Sequence, residues 1–130
     1  MTQEPIWISE SFVRSVHADQ LKQYGGRPGI RDENLLSASL ARPQQLFAYG
    51  ESATIFDLAA AYAYGLARNH PFTDGNKRIA FVVAAVFLEL NGYSLDAPEE
   101  EVVEVVLRLA AGQESQAAIA NWLSTRSIEH

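Results

Sequence analysis

A chain of 130 residues with 48% hydrophobic content suits one globular domain that buries roughly two thirds of its unfolded surface, and leaves little for a second. A formal net charge of -6 with ten Lys and Arg argues against direct nucleic-acid binding, which needs a basic face. The absence of cysteine excludes disulfides and thiolate metal sites and suits a reducing cytoplasm, and the opening MTQEPIWISE has no apolar run of the kind a signal peptide or membrane anchor needs, so a cytoplasmic protein is expected.

Breakers divide the chain into helix-length pieces without repeats, and the pattern is all-α. Ser9 predicts an N-cap for a first helix with Phe12, Val13, Val16 and Leu21 on one side, stopped by Gly25-Gly26. In RPGIRD, Pro28-Gly29 predicts a turn and Asp32 caps a short helix through Leu40, interrupted at Pro43. The stretch from Gln44 to Ser52, which contains QLFAYGES, has no helical period and reads as a loop or small hairpin. Thr54 opens a helix with Ile55, Leu58, Ala59, Tyr62 and Leu66 at helical spacing, halted near Asn69 by Pro71. The next begins near Asn76. Its stripe of Ile79, Val82, Val83, Val86, Phe87 and Leu90, with Ala80, Phe81, Ala84 and Ala85 on the remaining faces, predicts the buried central helix, closed by Gly92. Asp96 with Glu99 reads as a capping box for a helix through Val102, Val103, Val106 and Leu107, and Ser115 starts a last helix with Ala118, Ile119, Trp122 and Leu123. The expectation is a single-domain bundle of about six helices.

The segment NHPFTDGNKRIA, Asn69 to Ala80, lies between two of these helices. Its end is a helix start, where the amides of Gly75, Asn76 and Lys77 lack intrahelical partners and the dipole is positive, so an anion is expected there. Lys77 and Arg78 add charge, Arg78 with bidentate reach and Asn76 as a neutral donor, which suits phosphate. Asp74 beside a phosphate is the usual protein contribution to a magnesium site. Histidine titrates near neutral pH, which makes His70 a candidate base for a hydroxyl attacking a phosphoryl group. Phe72 reads as a core anchor pinning the loop. Singly, each residue also has an ordinary role: a helix-end histidine, an Asp-Gly-Asn turn, a solvated Lys-Arg pair. A Walker loop is absent. The residues alone leave a phosphate-handling enzyme and a structural loop both open.

HPFTDGNKR, His70 to Arg78, resembles the signature of the Fic/Doc family, His-Pro-Phe-x-(Asp/Glu)-Gly-Asn-Gly-Arg in many members, with Lys77 in place of the second Gly. A Lys there is typical of the Doc, or death-on-curing, branch, and YGGRPGIRD, Tyr24 to Asp32, is similar to the region after that branch's first helix. The resemblance implies a Fic/Doc-like helical fold holding ATP and Mg2+, with His70 as base, Asp74 as metal ligand and Gly75, Asn76, Lys77 and Arg78 as phosphate cradle. Leu46, Phe47, Ala48, Tyr49, Gly50 and Glu51 would form a flap that docks an extended target segment.

For the Doc branch the resemblance implies a toxin that transfers the γ-phosphoryl group to a threonine or serine of a translation factor such as elongation factor Tu and is inhibited in trans by a Phd-type antitoxin. Pro71 and Gly75 are instead typical of the adenylylating branch, so AMP transfer is the alternative, and a non-catalytic interaction module is the second. The family's inhibitory pattern, (Ser/Thr)-x-x-x-Glu-(Gly/Asn), is matched only in part by Thr125 to Glu129, which reads as a frayed tail.

Overall fold

A computed structural model describes residues 3–50 and 52–130. Helices α1 (Glu10–Tyr24), α2 (Glu33–Tyr49), α3 (Ile55–Asn69) and α4 (Asn76–Leu90) are followed by strand β1 (Tyr93–Leu95), helices α5 (Glu99–Ala110) and α6 (Gln116–Thr125), and strand β2 (Ser127–Glu129). The architecture is all-α with one small antiparallel sheet. No described helix is long and apolar enough to cross a membrane. The helix starts follow side-chain capping: Ser9, Asp32 and Ser115 accept the N–H of Phe12, Leu35 and Ala118, and Thr54 with Asp57 closes a capping box on α3.

The central helix is α3, not α4 as its apolar stripe suggests. Leu58, Ala59, Ala60, Ala61, Tyr62, Ala63, Gly65, Leu66 and Ala67 are buried, and α3 packs against α2, α4, α5 and α6. Small side chains make this possible, because a helix surrounded on all sides needs close approach: a Cβ on Gly65 would sit 3.3 Å from Ser39 Cα on α2. In α4, Leu90 is exposed and Phe81 and Val82 are half-buried.

Pro43 does not end α2. It lies buried inside a helix that continues to Tyr49, although an internal proline removes one hydrogen bond and costs about 3 kcal/mol. Packing offsets that cost, since Leu46 and Phe47 lie against the core and Trp7 meets Phe47 edge-on with centroids 5.7 Å apart. Residues 46–49, expected as a flap, are therefore the last turns of α2, Gly50 is its C-cap with its N–H on the Leu46 carbonyl at 2.7 Å, and Glu51 lies outside the described residues. Because α2 and α3 run antiparallel, with the Asp32 N–H on the Pro71 carbonyl at one end and Leu46 beside Ala53 and Asp57 at the other, residues 46–50 sit a helix length, about 20 Å, from His70. They form no flap over the loop.

At the C-terminal end, Asp96 and Glu99 make no capping box. The N-cap of α5 is Pro98 with no side-chain bond, and Glu99, Glu100 and Glu101 favour the positive end of its dipole instead. The tail is not frayed. Ser127, Ile128 and Glu129 pair with Leu95, Ser94 and Tyr93, the Asp96 N–H reaches the Arg126 carbonyl at 2.7 Å, and Arg126 holds Glu101 with two hydrogen bonds at 2.6 and 2.9 Å.

Candidate active site

The negative end of α3 and the positive end of α4 meet at residues 70–75. His70 is the C-cap of α3 in the left-handed conformation, φ 49° and ψ 56°, at a cost of roughly 1–2 kcal/mol for a residue with a Cβ. It is exposed, whereas Pro71 and Phe72 behind it are buried. The strand-like segment before α2 holds this turn: Arg31 and Asp32 both donate their N–H to the Pro71 carbonyl (2.8 and 3.0 Å), Thr73 donates to the Gly29 carbonyl (3.1 Å), and Ile30 bridges Phe72 in antiparallel pairing. Below it, Phe72 is 1% exposed and stacks on His17 of α1 at 3.8 Å between centroids.

Asn76, read from the sequence as a neutral donor, spends its amide oxygen and one of its two amide hydrogens on the loop itself. Its amide accepts the Phe72 N–H and donates to the Phe72 carbonyl, both at 2.9 Å, so it closes the loop on itself. The Gly75 N–H is not unpaired either, because it donates to Asp74 Oδ1 at 2.9 Å. The anion-facing amides are those of Asn76, Lys77 and Arg78, which precede the first intrahelical bond, Ile79 N–H to the Gly75 carbonyl at 3.0 Å. Gly75 caps α4 at φ 80° with no side-chain bond, which leaves that helix start open to an anion.

Asp74 Oδ2 accepts the Arg27 N–H at 3.2 Å. This bond first, then the Gly75 N–H, holds its carboxyl below the ordinary carboxylate range, with the Arg27 and Arg78 charges adding to the same direction. Gly26 makes the approach possible: at φ 127°, a Cβ there would lie 3.1 Å from Asp74 Oδ2 and 2.8 Å from Leu21 Cδ2. The Asp74 carbonyl in turn meets His17 Nε2 at 2.7 Å, an N–H donor by the chemistry of a carbonyl partner.

His70, Asp74, Gly75, Asn76, Lys77 and Arg78 line one polar cavity of about 460 Å³, with Tyr24, Gly25, Gly26 and Thr73. Arg78 is held at the rim by its guanidinium over the Tyr24 ring, 4.4 Å to the centroid. Lys77 is exposed and has no ion-pair partner among the described residues. Phe72 lies beneath the loop and faces a neighbouring apolar cavity with His17, Leu21 and Ile30. Residues 46–50 do not reach the site.

Two residues that position the loop escape a reading of the motif alone. His17 follows Val13 by one turn and precedes Leu21 by another, a polar residue on an apolar stripe, which flags a buried partner without naming it. Arg31 sends Nε to the His70 carbonyl and Nη2 to the Asn69 carbonyl, both at 2.7 Å. Nothing in the pattern of RPGIRD announces those contacts.

The donor set fits magnesium bound together with a nucleotide. Among the described residues no cluster of three or more His, Cys, Asp or Glu is placed to hold a metal by itself. Asp74 presents one ionised carboxylate just before the start of α4, each oxygen accepting a single N–H, and magnesium takes its remaining ligands from phosphate and water.

A family model described as the Fic/DOC family matches residues 7–88, from before α1 through most of α4. A protein described as "Protein kinase doc", from Escherichia phage P1, is 34% identical over 117 residues, which cover 89% of this chain and 91% of that protein. "Toxin Doc" from Mycolicibacterium smegmatis (strain ATCC 700084 / mc(2)155) is 42% identical over 93 residues, 65% of this chain and 71% of the relative.

Proposed function

The chain belongs to the Fic/DOC family, and from that membership and the geometry of residues 70–78 we propose that it is a cytoplasmic toxin that phosphorylates a protein hydroxyl with ATP. The observation that carries this reading is the convergence on one cavity of an exposed histidine, one ionised carboxylate and an uncapped helix start bearing two cations. The γ-phosphate is bound by the amides of Asn76, Lys77 and Arg78 with the Lys77 and Arg78 charges. His70 accepts the proton of a threonine or serine hydroxyl as its oxygen bonds to the γ-phosphorus; the bond from that phosphorus to the β,γ-bridging oxygen breaks and ADP leaves. Magnesium held by Asp74 would neutralise charge between the phosphates. The target segment approaches over Gly25 to Gly29, which is exposed and borders His70, and a translation factor such as elongation factor Tu is the proposed target.

Control by an antitoxin in trans is part of the same proposal, since one relative is named a toxin. An apolar groove of about 480 Å³ runs from Tyr24, Lys77 and Arg78 along Phe81 and Val82 of α4 to Val103, Val106 and Leu107 of α5. Because it shares Tyr24, Lys77 and Arg78 with the site cavity, a Phd-type segment folding there covers the phosphate cations. The occupant expected is an amphipathic helix with an acidic residue at the end nearest Lys77 and Arg78.

The test is incubation with a bacterial lysate and ATP labelled at the α or the γ phosphate. Expected is γ label on a protein, lost by about 100- to 10,000-fold in His70→Ala. Transfer of α label instead overturns the kinase reading in favour of AMP transfer. Labelling and growth arrest that survive in a well-expressed His70→Ala variant overturn the enzymatic reading altogether, leaving an interaction module.

A further inference from the structure

His70 lines the cavity, yet among the described residues no hydrogen bond or ion pair holds its ring; what is fixed is its backbone. Its left-handed φ of 49° and ψ of 56° aim the side chain away from the path that α3 would otherwise continue. A non-glycine residue keeps such a conformation only when its surroundings over-determine it. Asp32 shares in holding the turn through the Pro71 carbonyl, but only Arg31 reaches the residues on both sides of the histidine and the histidine itself: its guanidinium takes the Asn69 and His70 carbonyls at 2.7 Å each, and its N–H takes the Pro71 carbonyl at 2.8 Å. Three successive carbonyls around the histidine are thus tied to Arg31.

We propose that Arg31 is a positioning residue for the base, setting the direction of the His70 ring through the backbone of residues 69–71; this rests on the reading of His70 as the base. Arg31 is not among the residues lining the cavity that holds His70 and Asp74, and two of its donors are committed to carbonyls, so it acts through His70 and not on the phosphate. Its charge has a second effect in the same place. The last carbonyls of α3 carry the negative end of that helix's dipole and face the region where α4 offers its positive end. With Arg31 on two of them, the phosphate meets the α4 amides without an opposing row of bare carbonyls. Lysine cannot substitute fully, because a single ammonium on a flexible stem lacks the planar fork that spans two neighbouring oxygens.

The test compares Arg31→Ala and Arg31→Lys with the wild type in γ-label transfer, ATP calorimetry, thermal unfolding and NMR of His70. Expected is a kcat about 100-fold lower in Arg31→Ala, the loss a small misplacement of a reacting group produces, with the KM for ATP changed by no more than about threefold. Arg31→Lys should fall between, and the His70 Cα and Cβ shifts should leave their left-handed values in both. A raised KM for ATP with kcat kept would make Arg31 a phosphate ligand and overturn the proposal, as would full kcat in a folded Arg31→Ala or left-handed His70 shifts that persist there. If Arg31→Ala does not fold, the Lys variant carries the same comparison. Failure of the underlying reading looks different: His70→Ala then transfers label as fast as the wild type, whereas an inactive His70→Ala beside a fully active Arg31→Ala sinks only the positioning role.

Discussion

Asp74 has one carboxylate and two tasks, bracing the loop and facing the cavity. The Arg27 and Gly75 amides favour its charged form, so its pKa is lower folded than unfolded. The bracing it supplies is therefore fully present above the ordinary carboxylate range near 4 and is lost as pH falls through the depressed folded value. Asp74→Asn should unfold at lower urea than the wild type at pH 7, and the two midpoints should converge as pH falls through the depressed folded value; a gap unchanged by acid would remove the carboxylate from the loop's stability. For function, Asp74→Ala should abolish the magnesium dependence of ATP binding, and equal calorimetric affinity with and without magnesium in the wild type would contradict the metal role. In the proposed reaction Lys77 is the residue that selects the group transferred: a mobile point charge suits a terminal phosphate, whereas glycine lets the backbone approach closely. Lys77→Gly should lose γ transfer on the order of 100-fold, and a variant that keeps it would show that Lys77 does not select the chemistry. At this scale, the cavity residues from the loop and the start of α4 were legible in HPFTDGNKR, because their chemistry is local to the motif, whereas Tyr24, Gly25 and Gly26 join them from the end of α1. The partners of the motif residues were not legible there. Asn76 and Gly75 spend donors on Phe72 and Asp74, and His17 and Arg31 arrive from α1 and the segment before α2, pairings that only the fold creates.

Among elements, capping side chains located the starts of α1, α2, α3 and α6, since a capping side chain acts on amides two or three residues away. Burial was less legible. A stripe of large apolar residues marks a helix that packs on one side, and α4 is such a helix; α3 is packed all round, and the mark of that state is alanine and glycine, which a hydrophobic pattern underrates. Gly65 tests the point. In an exposed helix, replacing glycine with alanine gains about 1 kcal/mol, but here a Cβ meets Ser39 Cα at 3.3 Å and its carbonyl at 3.4 Å. Gly65→Ala should forfeit that gain, and Gly65→Val should cost about 1–3 kcal/mol by overpacking, read as a lower urea midpoint at unchanged slope. A stabilised Gly65→Val would mean that α2 and α3 are not pressed together at this point. The same interface explains why residues 46–49 looked like a loop: Pro43 and aperiodic Leu46, Phe47 and Tyr49 are poor helix text, and it is the packing of Leu46 and Phe47 on the core that keeps the helix going.

On the scale of the whole molecule, an acidic chain, net -6, sets Lys77 and Arg78 at the junction of the site cavity and the apolar groove. On the far wall of that groove, Val103 and Leu107 are 52% and 51% exposed, while Val105 and Leu109 on the other side of α5 are buried. A helix that buries one apolar face and leaves a second open has more apolar surface than its own fold uses. The proposed antitoxin helix would cover that second face, and its acidic end would meet the two cations. The two contributions separate by mutation. Leu107→Glu lies on the α5 wall and outside the site cavity, so it should leave γ transfer unchanged, yet place a charge where the helix buries apolar area. Neutralisation by a cognate antitoxin peptide should then weaken by at least about tenfold, the effect of 1.4 kcal/mol, because burying a leucine is worth roughly 1.5–3 kcal/mol. Raising salt should weaken the wild-type pair as well, through the exposed Lys77 and Arg78, without restoring binding to Leu107→Glu. If instead Leu107→Glu is neutralised as readily as the wild type while its transfer activity is intact, the antitoxin does not use this groove, and the cations at its end serve the phosphate alone.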